Sequence, residues 1–371
     1  MKKGRLGRWT ADSRFSLHSH GGNVYAFART RGIAPDQVLD FSASINPLGW
    51  PRSAASAYRR ALSRILHYPE PYAETFTAAL AQYHNLDPEA VLVGNGATQL
   101  IYLLAHVLRS SRVLLIAPLF SEYERAFRSS GLLVEHFFLR PPTFALVLDR
   151  LKNVLSTGYD ALVLTNPNSP TGALMPRAQV EELAQLCRRT NTWLIVDETF
   201  VDWVEEESLK QLAARNSHLM ILRSLTKFFA LPGLRVGYVI AQPKLIKRLR
   251  TRIEPWSVNA VAQEVARACV QDLSFVRRSR TFMARERPWL VAQLAALPGL
   301  GLFPSAANFF LVKITKSELT MLEFSRRLAE DNLLVRACGN FPGLGKQFFR
   351  VAVRTRPENQ RLLSACATIL A

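Results

Sequence analysis

The chain has 371 residues, 49% of them hydrophobic, enough to bury a large core and too apolar for general disorder. Its formal charge of +18 would suit nucleic acid, an anionic membrane or small acidic molecules, but no nucleic-acid-binding motif is present and no apolar run approaches the ~18 residues of a membrane span. Four cysteines (Cys187, Cys269, Cys338 and Cys366) stand apart without CxxC pairing, which excludes a disulfide framework or zinc site and leads us to expect a reducing, cytoplasmic setting.

In chain order, the basic start Met1 to Arg8 lacks the apolar stretch of a secretory signal. Residues 1–45 show no strong period and are expected to form an arm packed against the rest. His18 and His20 are an i, i+2 pair with no third ligand nearby, so no metal site is expected. Short apolar runs follow at Val91–Val93, Val113–Ile116, Ala161–Leu164, Trp193–Val196, Leu219–Leu222 and Val236–Ile240, and read as strands covered on both faces. Helical spacing separates them over Ala97–Leu108 and Arg177–Arg189. The basic cluster Lys244, Lys247, Arg248, Arg250 and Arg252 alternates with Leu245, Ile246 and Leu249, the pattern of a solvated helix face. Residues 46–265 are therefore expected to form a large, doubly wound α/β domain with a mostly parallel sheet. A long polar helical region and two strands, Asn308–Val312 and Phe348–Val353, predict a smaller α+β domain over 266–371.

Ser224-Leu225-Thr226-Lys227, with Arg235 eight residues beyond the lysine, supplies what is needed to hold pyridoxal 5'-phosphate. The lysine amine condenses with the cofactor's aldehyde, while hydroxyl and guanidinium groups hold its phosphate. Two upstream segments give that spacing its weight: Asn166-Pro167-Asn168-Ser169-Pro170-Thr171-Gly172 and Val196-Asp197-Glu198. Asp197 ends an apolar strand, where a carboxylate can pair with a protonated pyridine nitrogen. Gly96, Ala97 and Thr98 open a helix after a strand and glycine turn, so their backbone N–H groups can cradle the phosphate. Phe120 follows another strand and is placed to stack on the ring, and Tyr68 has a phenol able to reach a phosphate.

With these residues the chain resembles the fold-type I pyridoxal-phosphate enzymes of the aspartate aminotransferase superfamily. Within them it is similar to the histidinol-phosphate aminotransferase branch, and most of all to the threonine-phosphate decarboxylases of cobalamin biosynthesis. The likeness runs from about residue 18 to the C-terminus, on His20-Gly21-Gly22-Asn23, Leu39 to Gly49, Arg223 to Phe229, Pro255 to Ala260 and Asn340 to Leu344. It implies cofactor contacts at Lys227, Asp197, Asn168, Ser169, Ser224 and Arg235, and substrate contacts at His20, Gly21, Ser44, Arg336 and Arg350. It also implies a homodimer in which Tyr68 reaches the other subunit's cofactor phosphate. The asparagines usual in the branch are replaced by Ser169 and Ser44. The tyrosine usual in its aminotransferases, three residues after the aspartate, is Phe200, as in the decarboxylases.

The resemblance implies decarboxylation of O-phospho-L-threonine, a small anionic amino-acid phosphate, to (R)-1-aminopropan-2-yl phosphate. The alternative is an aminotransferase of the histidinol-phosphate type using the same groups. A pyridoxal-fold DNA-binding regulator would need an added helix-turn-helix domain, and residues 1–45 are too short and irregular to supply one.

Overall fold

The computed structural model describes residues 20–108 and 111–371. Met1 to Arg8, His18 and the rest of the expected arm before His20 lie outside them. Strand β1 (Leu39–Asp40) is followed by β2 (Val91–Gly94), β3 (Arg112–Ala117), β4 (Leu133–Phe138), β5 (Ala161–Thr165), β6 (Trp193–Asp197), β7 (Leu219–Ser224) and β8 (Gly237–Ile240). Strands β2 to β8 form one sheet in the order β2-β8-β7-β6-β5-β3-β4. Only β8 runs against its neighbours; the others are mutually parallel. The expected doubly wound, mostly parallel α/β sheet is thus present.

These strands form because their residues suit burial on both faces. Leu114, Ile116, Leu162, Leu164, Leu194, Val196 and Ile221 enter one apolar cluster, while Val113, Leu115, Val163, Ile195, Met220 and Leu222 enter another. The alternation splits each strand between two helical layers. Edge strand β4 was not expected, because Glu135 and His136 interrupt its apolar run and Leu133 is left exposed. The parallel strands all end on one edge of the sheet, so Phe120, Thr165, Asp197 and Ser224 converge there.

After the helix Ala260–Gln271 and the long helix Leu273–Ala295 come β9 (Leu300–Leu302), β10 (Phe309–Ile314), β11 (Leu333–Leu334), β12 (Arg336–Ala337) and β13 (Phe348–Ala352). Strands β9, β10, β12 and β13 make an antiparallel sheet in the order β12-β13-β10-β9. Strand β1 pairs in parallel with β11, so the N-terminal segment is tied to this second unit. The expected division at 265/266 falls within the helix Ala260–Gln271; we propose Asp272, between the two helices, as the natural break.

A buried charge cluster supports the edge where the strands end. Arg223, immediately before Ser224, reaches Glu198 at 3.2 Å, Asp202 at 3.0 Å and Glu205 at 2.7 Å. Glu198 is the residue after Asp197, so this pairing ties the end of β6 to the end of β7. Burial alone would raise the Glu205 pKa, but the Arg223 guanidinium and Lys210 hold it down at about 2. His84 sits beside them, its Nε2 2.6 Å from the Tyr238 hydroxyl and its Nδ1 3.3 Å from Lys210 Nζ. Burial, then the charge of Arg223, depresses its pKa well below the ordinary value of 6.5.

A depressed histidine pKa contributes stability that is complete above the unfolded value and is lost as pH falls below it. From about pH 7.5 to about pH 5.5 the His84→Gln variant should lose about 1.4 kcal/mol less stability than the parent chain in urea unfolding. Equal losses for the two proteins would overturn this assignment.

Candidate active site

The converging strand ends, the N-terminal segment and the β12–β13 pair enclose a cavity of about 490 Å³. Lys227 lies on its wall, in the short helix Leu225–Phe228 that Ser224 caps by accepting from the Thr226 N–H at 3.3 Å. Burial, then the nearby Arg350 and Arg235, lowers the Lys227 amine to about 8, so a neutral, nucleophilic fraction exists near neutral pH. Asp197 Oδ2 accepts from the Tyr123 hydroxyl at 2.9 Å and Oδ1 from the Thr199 N–H at 2.9 Å. Burial raises its pKa, while these bonds favour the anion.

The phosphate cradle is local in origin. The helix Gly96–Val107 starts at the cavity, with Ala97 and Thr98 on the wall. Gly96 has φ +76, and a Cβ there would stand 2.6 Å from Arg235 Nη2, so the helix start and the guanidinium can approach closely only with glycine. The Ser224 and Thr226 hydroxyls lie 2.8 Å apart beside them. Helix N–H groups, two hydroxyls and a guanidinium converge as a phosphate site requires. The Thr165 hydroxyl, on the cavity wall beside Asp197 across β5 and β6, is buried with no hydrogen-bond partner among the described residues. This donor set fits a phosphorylated pyridine aldehyde: a lysine for the aldehyde, a buried carboxylate for the ring nitrogen and an anion cradle.

Across the cavity, Arg336 and Arg350 are register partners on β12 and β13. Arg350 donates to Ser169 Oγ at 3.0 Å and to the Ser42 carbonyl at 3.0 Å, and its guanidinium lies over the Phe309 ring. Arg336 donates to Asn340 Oδ1 at 2.9 Å and lies over Phe341. Burial lowers the Arg350 pKa to about 10, which leaves it charged at neutral pH. Among the described residues no carboxylate comes within 4 Å of the charged groups of Lys227, Arg235, Arg336 or Arg350. Cations gathered with no carboxylate in direct contact form a binding site for anions.

Most of the residues expected from the sequence meet here: His20, Gly21, Ala97, Thr98, Phe120, Ser169, Asp197, Ser224, Lys227, Arg235, Arg336 and Arg350 all line the cavity. Gly21 has a steric reason as well, since a Cβ would stand 2.2 Å from the Ser42 carbonyl oxygen. Three expectations fare differently. Asn168 turns away: its amide donates to the Pro118 carbonyl and accepts from Thr171, fastening its own loop. It faces a separate cavity of about 560 Å³, where Arg287 is the one charged wall residue among those described. Ser44 is buried behind the wall, its hydroxyl unpaired and its carbonyl accepting from Asn308. Tyr68 is 85% exposed, away from this cavity, against Trp256. Sequence reasoning missed Glu122, Tyr123, Thr165 and Thr199, although each follows a strand end already identified, the one cue that could have found them.

The family model for aminotransferase class I and II matches residues 36–366. Threonine-phosphate decarboxylase of Salmonella typhimurium is 36% identical over 95% of this chain and 96% of its own. Among solved structures, L-threonine-O-3-phosphate decarboxylase from Porphyromonas gingivalis superposes with a TM-score of 0.79 at 29% identity, covering 89% of this chain and 98% of that one. Histidinol-phosphate aminotransferase from Clostridium acetobutylicum superposes with a TM-score of 0.83 at 25% identity, with the same coverage of 89% and 98%. The chain therefore belongs to the aminotransferase class I and II family and is an enzyme that uses pyridoxal 5'-phosphate.

Proposed function

We propose that the protein decarboxylates O-phospho-L-threonine to (R)-1-aminopropan-2-yl phosphate, a step of cobalamin biosynthesis. The observation that carries this reading is the pair Arg336 and Arg350, side by side on β12 and β13 and facing Lys227 across one cavity. A substrate with two anionic groups would neutralise both, Arg350 taking the carboxylate and Arg336 the phosphate ester. The fold is common to this reading and to transamination, since the decarboxylase and aminotransferase structures superpose about equally well. Phe200 favours decarboxylation: its ring packs edge-on to Phe309 and offers no phenol to the cavity.

Roles follow from position. Lys227 and Asp197 would engage the cofactor's aldehyde and ring nitrogen, and Gly96, Ala97, Thr98, Ser224 and Arg235 its phosphate, with Phe120 along the ring. The bound cofactor supplies the electron sink for the pair left when the bond to the carboxylate breaks. Arg350 orients that carboxylate, which departs as carbon dioxide, and Lys227 Nζ delivers a proton to the α-carbon. Ser169 Oγ accepts from Arg350, and its own hydroxyl hydrogen remains to be donated to the cofactor's phenolic oxygen.

An exposed apolar surface made of Leu62, Ile65, Leu66, Tyr68 and Trp256 supports a homodimer in which Tyr68 serves the other copy's cavity. The four buried, unpaired cysteines agree with a cytoplasmic enzyme.

The discriminating experiment gives holoenzyme O-phospho-L-threonine alone, and separately histidinol phosphate with 2-oxoglutarate. Carbon dioxide release without any keto acid is expected; glutamate formation with no carbon dioxide would establish the aminotransferase instead. Tyr123→Phe removes one hydrogen bond from the Asp197 carboxylate, worth about 1.5–3 kcal/mol at a charged acceptor. Steady-state kinetics should show kcat down at least about tenfold with KM little changed, and an unaltered kcat would remove Tyr123 from this role. Mixed dimers of Lys227→Ala and Tyr68→Ala chains should regain activity that neither variant has alone. No recovery in mixed dimers verified by mass would refute a shared site.

A further inference from the structure

Two carboxylates line the cavity among the described residues, Asp197 and Glu122, and the proposed reaction uses only the first. Glu122 is buried in the wall that receives an anion, a position that is unfavourable unless its charge is put to use. It opens the helix Glu122–Ser129, one residue after Ser121 and two after Phe120. Its two oxygens are separately engaged: Oε1 lies 2.9 Å from His20 Nε2, and Oε2 accepts from the Tyr102 hydroxyl at 3.1 Å. Arg125 Nη1 is 3.7 Å from Oε1.

His20 depends on this contact. Its side chain is 41% exposed, and among the described residues its other side-chain contact is aromatic, with Phe120 at 5.2 Å between centroids. The next residues are anchored elsewhere: the Gly22 N–H donates to Ser42 Oγ at 2.7 Å, and Ser42 in turn accepts Arg350 through its carbonyl. The backbone thus brings His20 to the rim, and Glu122 orients the ring. An ionised carboxylate can only accept, so Nε2 is the donor and Nδ1 is left for another partner. Held this way, Nδ1 is the ring atom left to meet a substrate group in the cavity, and it donates an N–H to a phosphate when the imidazole carries both protons.

We propose that Glu122 is a positioning residue for substrate selection: acting through His20, it sets the preference of the cavity for a phosphorylated substrate over its unphosphorylated counterpart. This deepens the reading of a phosphorylated amino-acid substrate and rests on it.

The test reads binding by the change in absorbance of the bound cofactor, which does not depend on the bond that later breaks. Dissociation constants are measured for O-phospho-L-threonine against L-threonine, and for histidinol phosphate against histidinol. The holoenzymes compared are the parent, Glu122→Gln, His20→Ala and the double variant. In Glu122→Gln the phosphate preference should fall about tenfold, equivalent to about 1.4 kcal/mol. Affinity for the unphosphorylated partners and the resting cofactor spectrum should stay as in the parent. The double variant should be no worse than His20→Ala alone, because the carboxylate acts through the imidazole. An unchanged preference in Glu122→Gln, additive losses in the double variant, or a parent enzyme with no phosphate preference would each overturn the proposal. Failure of the decarboxylation reading would appear separately, as the absence of carbon dioxide from the parent enzyme.

Discussion

Like charges gathered around one cavity repel one another, and Lys227, Arg235, Arg336 and Arg350 line the same one, Arg336 buried and Arg235 still exposed. The strain shows in the lysine, whose amine falls to about 8 under burial and the two nearby guanidinium groups. Anionic ligands relieve it, so folding, cofactor binding and substrate binding share one electrostatic problem. The groups come from distant stretches of chain, and each depends on a local device. A capped short helix carries the lysine, a glycine admits Arg235 to the helix start, and paired antiparallel strands carry the two facing arginines.

Such an arrangement needs a stiff support, and the Arg223 cluster provides it. Arg223 and Glu198 are chain neighbours of Ser224 and Asp197, so one buried ion pair joins the strand ends that carry the lysine and the carboxylate. Ion pairs of this kind add little net stability, because desolvation opposes attraction, but breaking one is costly. The pairing therefore limits how far the two strand ends can separate. On the opposite side the N-terminal segment is held by β1 against β11 and by Ser42 between Gly22 and Arg350. It touches the large sheet's side through His20 and Glu122.

Much of this could be read from residue order. The continuous apolar strands were legible because burial on both faces leaves no other composition open to them, and the long helix Arg177–Arg189 because its spacing is regular. Strand β4 was not, because a strand at the sheet edge keeps polar residues. The two-residue strands β1, β11 and β12 carry no pattern at all; they exist because a partner strand lies beside them. Lys227, Asp197 and Arg235 were legible because covalent and ionic chemistry admits few residue types. Asn168 and Ser44 misled because an asparagine or serine near a site serves equally well to fasten a loop or fill a wall.

By itself, then, the amino-acid order determined the sheet class and the cofactor chemistry, since periodicity and reactive side chains are local properties. Only the tertiary structure decided which side chains face one another across the cavity. Arg336 and Arg350 are fourteen residues apart and become neighbours through the register of β12 on β13. Glu122 and His20 are 102 residues apart and meet because a strand end and an anchored glycine segment arrive at the same rim. Hydrogen bonds and charges act over a few ångströms, and those distances exist only once the chain has folded.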